Sequence, residues 1–377
     1  MTRSNLFQWG IIMAILLSGC SIDISQPVIG GGESSLTSPA GSPNQSSKNI
    51  PVVWKNLDIK GKLVYITSRF DNEQNALVTL IAIQVLDLAD GNVKTIFEAP
   101  PGAWIDFLSV SPDGKQLVME YVPAGNNASV GAKQTLLYTM PLDGSQSPSL
   151  LLPPPTSSDL YYQPTWSPDG RYIYYSHVNL RAPNALPGQK FPDYEISRMA
   201  YPQGQPEKLL DRAFWPRLSA DGAYLSYVSV DPVNGSNRLF TADTNGADPH
   251  QVALSGPYIP TIIDAPFFSP EGQTIYFSAA TQVQSSTPSW VDKVFGITIA
   301  SAHVVPSDLW SVPITGGTPT QLTHIASFGL FASLSPDNEH IALYTGGEIS
   351  AMNSDGSDLT TLVKDIGGIP GSVSWIP

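Results

Sequence analysis

The sequence predicts an all-β fold: a six-bladed β-propeller of four-stranded antiparallel blades, its ring closed by the C-terminal strand joining blade one. Three observations lead there. A four-residue turn recurs five times, as Ser111-Pro-Asp-Gly114, Ser167-Pro-Asp-Gly170, Ser219-Ala-Asp-Gly222, Ser269-Pro-Glu-Gly272 and Ser335-Pro-Asp-Asn338. A second turn recurs downstream in every unit, at Asp90-Gly91, Asp143-Gly144, Gln203-Gly204, Asn245-Gly246, Gly316-Gly317 and Asp355-Gly356. The last residues, Gly371-Ser-Val-Ser-Trp-Ile-Pro377, align with Gln163-Pro-Thr-Trp-Ser-Pro168, a strand that the first unit lacks at its own start. Such a period marks one supersecondary unit that buries its faces only against its neighbours.

The chain begins with Arg3 and an apolar run from Trp9 to Leu17, followed by Leu17-Ser18-Gly19-Cys20. That run is too short to span a bilayer, and the order of charge, apolar stretch and small residues is that of a secretory signal. The four residues resemble the lipobox of bacterial lipoproteins. The resemblance implies a lipoprotein signal peptide over 1–19, cleavage before Cys20, and acyl chains (a diacylglycerol, with palmitate as a typical chain) on Cys20 that hold the protein on a membrane. An ordinary signal peptide with an incidental cysteine is the other reading. Cys20 is the single cysteine, so no thiol remains for a disulfide, a thiolate metal site or a nucleophile. Residues 20–50 are rich in Ser, Gly, Pro, Asn and Gln and read as a flexible lipidated tether. The propeller is assigned to 51–377.

Within the propeller the first turn starts at 111, 167, 219, 269 and 335, giving spacings of 56, 52, 50 and 66 residues. An apolar strand follows each: Leu117 to Val122, Tyr172 to Val178, Tyr224 to Val230, Thr274 to Ala279 and Ile341 to Tyr344, with Leu63 to Thr67 as the sixth after a degraded turn. Proline presets φ at the second turn position and the acidic side chain satisfies local backbone donors. The fourth position is Gly or Asn, the residues that tolerate positive φ. Two hairpin turns per unit give four strands. Pairing the two chain ends removes the open edge of a linear stack.

These turns and the strands after them resemble the propeller repeats of the TolB family over roughly residues 51 to 377, most fully in Trp166-Ser-Pro-Asp-Gly-Arg-Tyr-Ile-Tyr175 and Phe268-Ser-Pro-Glu-Gly-Gln-Thr-Ile-Tyr276. The resemblance implies the blade architecture; the α/β domain that precedes the propeller in TolB has no counterpart here, so the TolB role is not carried over. Similar propellers precede the catalytic domain of prolyl oligopeptidase relatives, and this sequence has no room for such a domain after the ring closes.

Composition restricts function. Of 377 residues 14% are charged and the formal net charge is −13, with no basic run, which disfavours nucleic acid as a partner. No Gly-x-Ser-x-Gly elbow, His-Glu-x-x-His helix or phosphate loop is present. His177, His250, His303, His324 and His340 are scattered rather than repeated, so no histidine metal centre is expected, unlike the pectin-fragment lyases with similar repeats. Asp243 to Asp248 and Asn353 to Asp358 have the composition of calcium loops but lack the closing Glu, and read as hairpin turns.

Five residues before each turn serine stand Asp106, Tyr162, Phe214, Asp264 and Leu330. Blades two and five are opposite in a ring of six, so Asp106 and Asp264 are expected across the channel mouth, either holding a divalent cation, acting as an acid–base pair, or simply accepting backbone hydrogen bonds. Tyr162 and Phe214 are expected at the same mouth, lining a groove for a peptide or sugar. The loop 281–307 of blade five carries Trp290, Phe295 and His303, an apolar recognition segment or a cover over its own blade. The expected role is that of an extracytoplasmic, membrane-anchored binding scaffold for an envelope protein, a peptide or a glycan, with no obligatory cofactor. A carbohydrate-active lyase or hydrolase using Asp106 and Asp264 is the alternative.

Overall fold

The structure is a computed structural model that describes residues 46–71, 78–124, 134–180, 186–189, 191–280, 305–367 and 371–376. Blade one contains β1 (Ser47–Asn49), β2 (Lys62–Asp71), β3 (Val78–Asp87) and β4 (Asn92–Glu98), and blade two β5 (Trp104–Val110), β6 (Gln116–Val122), β7 (Leu136–Pro141) and β8 (Ser149–Leu150). Blade three follows with β9 (Asp159–Trp166), β10 (Tyr172–Asn179), β11 (Tyr194–Ala200) and β12 (Glu207–Asp211), and blade four with β13 (Ala213–Leu218), β14 (Tyr224–Val230), β15 (Asn237–Asp243) and β16 (His250–Gln251). Blade five holds β17 (Thr261–Phe268), β18 (Thr274–Ala280), β19 (Ser307–Pro313) and β20 (Thr320–Gln321); blade six holds β21 (Leu330–Leu334), β22 (His340–Thr345), β23 (Ile349–Asn353) and β24 (Thr360–Val363), before β25 (Val373–Ile376). Six antiparallel sheets result, as expected; five are ordered as in the chain from inner to outer strand, and blade one runs β25-β2-β3-β4-β1.

The first turn has the same geometry wherever it occurs. The serine hydroxyl donates to the acidic side chain two residues on, at 2.7 Å in Ser111–Asp113 and Ser167–Asp169, and accepts from the backbone N–H five residues on, at 2.9 Å from Gln116 and Tyr172. The fourth position has φ near +70° throughout, and Asn338 at +68° matches Gly114 at the same value. The second turn packs one blade onto the last: a Cβ on Gly144 would lie 2.6 Å from Ile96 O, so only glycine fits. In blade three the expected Gly204 turn takes another form, with a cis Tyr201–Pro202 peptide and no positive φ at Gly204.

Closure is by β25, which pairs with β2 through Leu63↔Trp375 and Tyr65↔Val373. Trp375 is 4% exposed and its indole N–H donates to Lys60 O at 3.0 Å. Ser47–Asn49, placed in the flexible segment by composition, pair with β4 from Ser47↔Lys94 to Asn49↔Asn92. The outermost strand of a blade offers unpaired backbone groups, and a polar tripeptide can satisfy them without burying any side chain. Cys20 and the proposed signal peptide lie outside the described residues, as do Trp290, Phe295 and His303. No helix among the described residues is long and apolar enough to cross a membrane.

Strand polarity sorts the connections. The inner strands β5, β9, β13, β17, β21 and β25 all run the same way, so their first residues gather on one face with the second-to-third-strand loops and the links between blades. Both repeated turns emerge on the opposite face. The first of these is called the entry face below.

Candidate functional site

The inner strands of blades two to five do not pair regularly with their neighbours, whereas β21 and β25 do. In blade two Ile105 pairs with Tyr121 and Leu108 with Met119, so Asp106 and Phe107 together stand opposite Glu120. Blades three, four and five carry comparable irregularities at Gln163-Pro164, Trp215-Pro216 and Ala265-Pro266. Gln163, Trp215 and Ala265 have φ of +50°, +60° and +45°. A bulge of this kind re-aims side chains by breaking the two-residue alternation.

Its consequence is a closed channel. Phe107, Trp215 and Phe331, four residues before their turn serines on blades two, four and six, meet with ring centroids 5.4, 5.8 and 5.6 Å apart. Side chains from three alternate blades can touch one another only on the axis. All three are buried, and the Arg217 guanidinium lies 4.8 Å from the Phe107 ring centroid and 5.6 Å from that of Trp215. Sequence reasoning followed the position one residue earlier and missed this cluster, although its signal, an aromatic at the same repeat position on every second blade, was present.

Beside the aromatic cluster is a group of ionisable side chains. Glu120 is 3% exposed and its Oε1 accepts from the Gln163 backbone N–H at 2.5 Å. Burial, reinforced by the charge of Asp106, raises the Glu120 carboxyl well above the usual carboxylate range. Burial pushes Asp106 up to about 7 and Arg217 down to about 10, Glu120 opposing the latter shift. Asp106 Oδ1 is sealed from solvent without a hydrogen-bond partner. Tyr162 is raised by burial and then by the charges of Tyr194, Glu120 and Asp106. Asp264 is fully buried, its Oδ1 accepts from the Ala265 N–H at 3.2 Å, and its charge is felt by Tyr194. Phe214 is buried with its ring 5.7 Å from that of Tyr194. Asp106 thus acts on Glu120 of its own blade, and Asp264 on Tyr194.

A second locus lies on the entry face of blade three. His177 is clamped by two carboxylates, its Nε2 2.8 Å from Asp159 Oδ1 and its Nδ1 2.8 Å from Glu195 Oε1. Burial lowers the imidazolium pKa, but the two carboxylates outweigh it and the net shift is upward. Burial likewise tends to raise both carboxylates, and both end below their ordinary values because His177 and local donors prevail. Lys208 Nζ reaches Glu195 at 3.5 Å and Asp211 at 2.5 Å. These groups line a cavity of about 740 Å³, together with Asp193, Tyr194 and Arg212. No local motif announces the clamp: Asp159 and Glu195 each lie 18 residues from His177 and meet it only through strand pairing.

Among the described residues one further grouping, Asp337, Glu339 and His340, brings three potential ligand atoms within 4.8 Å of one another. Asp337 already accepts from Ser335 and the Glu339 N–H in its turn, so the grouping belongs to local turn structure.

The geometry defines a six-bladed propeller with a plugged axis and a polar cavity on its entry face. Comparison with known proteins agrees on the fold. Similar solved structures include a protein assigned as TolB from Agrobacterium tumefaciens, at 16% identity and TM-score 0.52 over 85% of this chain and 99% of that one. TolB from Acinetobacter baumannii is 17% identical with TM-score 0.53, covering 84% of this chain and 67% of that one. A chain of a nidogen–laminin complex matches at 10% identity and TM-score 0.54 over 84% and 99%. No family model matches, and no curated protein matches. The chain is therefore a TolB-like propeller in fold.

Proposed function

We propose that the chain is a lipid-anchored, extracytoplasmic binding scaffold for an envelope protein, a peptide or a glycan, working through its entry face. The observation that carries this reading is the aromatic closure of the axis, which leaves no open passage at Phe107, Trp215 and Phe331 and moves any recognition to the surface. Of the eight large apolar side chains exposed among the described residues, five sit on entry-face connections: Leu180, Val233, Tyr258, Ile259 and Phe328. Solvent-facing apolar groups on rigidly held loops are a mark of interaction sites. That similar propellers include TolB proteins and a chain of a nidogen–laminin complex is in keeping with a binding role.

Photo-crosslinkers at Leu180, Tyr258 or Phe328 in whole cells should trap a defined partner that crosslinkers at Gly170 or Leu359, on the turn face, do not. Equal yields from both faces would overturn the assignment. Anchoring is tested separately: Cys20→Ser should release the protein from membranes and abolish acylation of its N-terminus, and unchanged membrane retention would refute the lipid anchor. The carbohydrate-active alternative draws on Asp106, whose carboxyl at about 7 suits proton donation near neutrality, with or without a divalent ion shared with Asp264. Turnover on a glycan panel that disappears in Asp106→Asn and Asp264→Asn would favour it over the scaffold.

A further inference from the structure

We propose that the cavity on the entry face of blade three binds a neutral, hydroxyl-rich ligand, the exposed sugars of a glycan; this deepens and rests on the reading of that face as the binding face. The cavity, about 740 Å³, lies within the range of sites that hold a small ligand of a few rings. Its lining is charged but balanced, with His177, Lys208 and Arg212 against Asp193, Glu195 and Asp211.

Several of these charges are already committed to one another. His177 is held between Asp159 and Glu195, and Lys208 between Glu195 and Asp211. An anionic ligand would have to compete with Glu195 and Asp211 for Lys208, and a cationic one with His177 and Lys208 for Glu195. Hydroxyl groups both donate and accept, so a sugar can join such an array without breaking it. One place in the lining asks for a donor: Asp193 Oδ1 has no hydrogen-bond partner among the described residues. A buried acceptor left in that state is costly, and a ligand O–H is a direct remedy. Tyr194 supplies an aromatic wall backed by Phe214 at 5.7 Å, a surface on which the apolar face of a pyranose packs. The clamp on His177 fixes Glu195 in place before the ligand arrives, which reduces the ordering cost of binding.

The test is saturation-transfer NMR and calorimetry on the full-length protein with neutral oligomers of glucose, mannose and N-acetylglucosamine. An oligogalacturonate serves as the anionic comparison and an oligolysine peptide as the cationic one. One neutral series should bind saturably. Asp193→Ala and Tyr194→Ala should each weaken it about tenfold or more without lowering the melting temperature to match, and Ser229→Trp, which places an indole at the cavity wall, should abolish it. Binding that ignores all three substitutions, or that is confined to a charged probe, overturns the inference. If no sugar binds while crosslinkers on the entry face still trap a protein, the saccharide assignment fails and the scaffold stands. If those crosslinkers also trap nothing, the scaffold reading falls with it.

Discussion

Replacing His177 by Gln should remove a pH-dependent part of the stability of blade three. The folded imidazole has a raised pKa, so its stabilisation is fully present below the unfolded value near 6.5 and is lost as pH rises through the folded value. Asp159 and Glu195 are lowered, so their contribution is present above their unfolded values and is lost as pH falls through the folded ones. The clamp is therefore strongest at about pH 5 to 6.5. Hydrogen bonds to charged partners contribute about 1.5–3 kcal/mol each. Here the side chains are 19%, 3% and 25% exposed, which places the clamp between a surface pair and a buried one. Loss of the imidazolium should cost about 2–4 kcal/mol at pH 6, or about 3–6 °C in Tm for a propeller of this length. Wild type alone would not isolate this effect, because Asp106 and Glu120, both raised by burial, also withdraw stability as pH rises. The measurement is thus the difference in Tm between wild type and His177→Gln from pH 5.5 to 9, which should shrink toward zero at the alkaline end. A difference that stays constant, or an NMR titration of the His177 ring with a midpoint below 6.5, would refute the reasoning.

Phe107→Ala and Trp215→Ala should each cost about 3–4 kcal/mol in urea unfolding, and the double variant less than the sum, since the rings share one cluster. Additive losses would show that the rings do not act together. Removing residues 371–377 should open the ring and expose the edge of β2, giving oligomers on size exclusion and a broadened melt; a monomer with unchanged Tm would contradict closure by β25. Glu120→Gln removes a carboxyl that burial and the charge of Asp106 raise well above its usual range, while Asp106, raised by burial, should stay near 7. Relative to wild type the variant should gain about 1 kcal/mol at pH 8 over pH 5 in denaturant midpoints, because ionising a raised carboxyl destabilises the fold. No gain would mean that the Glu120 carboxyl is not raised in the folded protein.

What was legible in the sequence was local. A Ser-Pro-Asp-Gly turn specifies its own hydrogen bonds within five residues, so the repeat, the strand count and the closing strand could be read directly, and Asn338 could be assigned positive φ by substitution for glycine. The interior was less legible because a bulge changes which residue of an inner strand turns inward. Counting back from the turn serine found Asp106 and Asp264, whereas the axis is filled by the next position, Phe107, Trp215 and Phe331. Gln163-Pro, Trp215-Pro and Ala265-Pro were visible, but proline alone does not announce a bulge with positive φ before it. The His177 clamp depends on the register of two strand pairs flanking loops of unequal length, and loop length does not fix that register.

The filling of the axis also explains why recognition is placed at the surface. By the repeat alignment the position occupied by Phe107, Trp215 and Phe331 holds Ser372, Gln163 and Ala265 on the intervening blades. Large rings from all six blades would overfill the centre, and small residues from all six would leave a wet channel; alternation packs it with three. Once the centre is apolar, the neighbouring carboxylates Asp106 and Glu120 lose water and are driven toward their neutral forms, the response expected of ionisable groups that cannot be solvated. Carboxylates so enclosed cannot meet a polymeric ligand without displacing the rings. The blade-three cavity retains both charge and access, its paired ions staying wet enough to remain ionised. On the reading proposed above, a ligand meets His177, Asp193, Tyr194 and Glu195 rather than the axis.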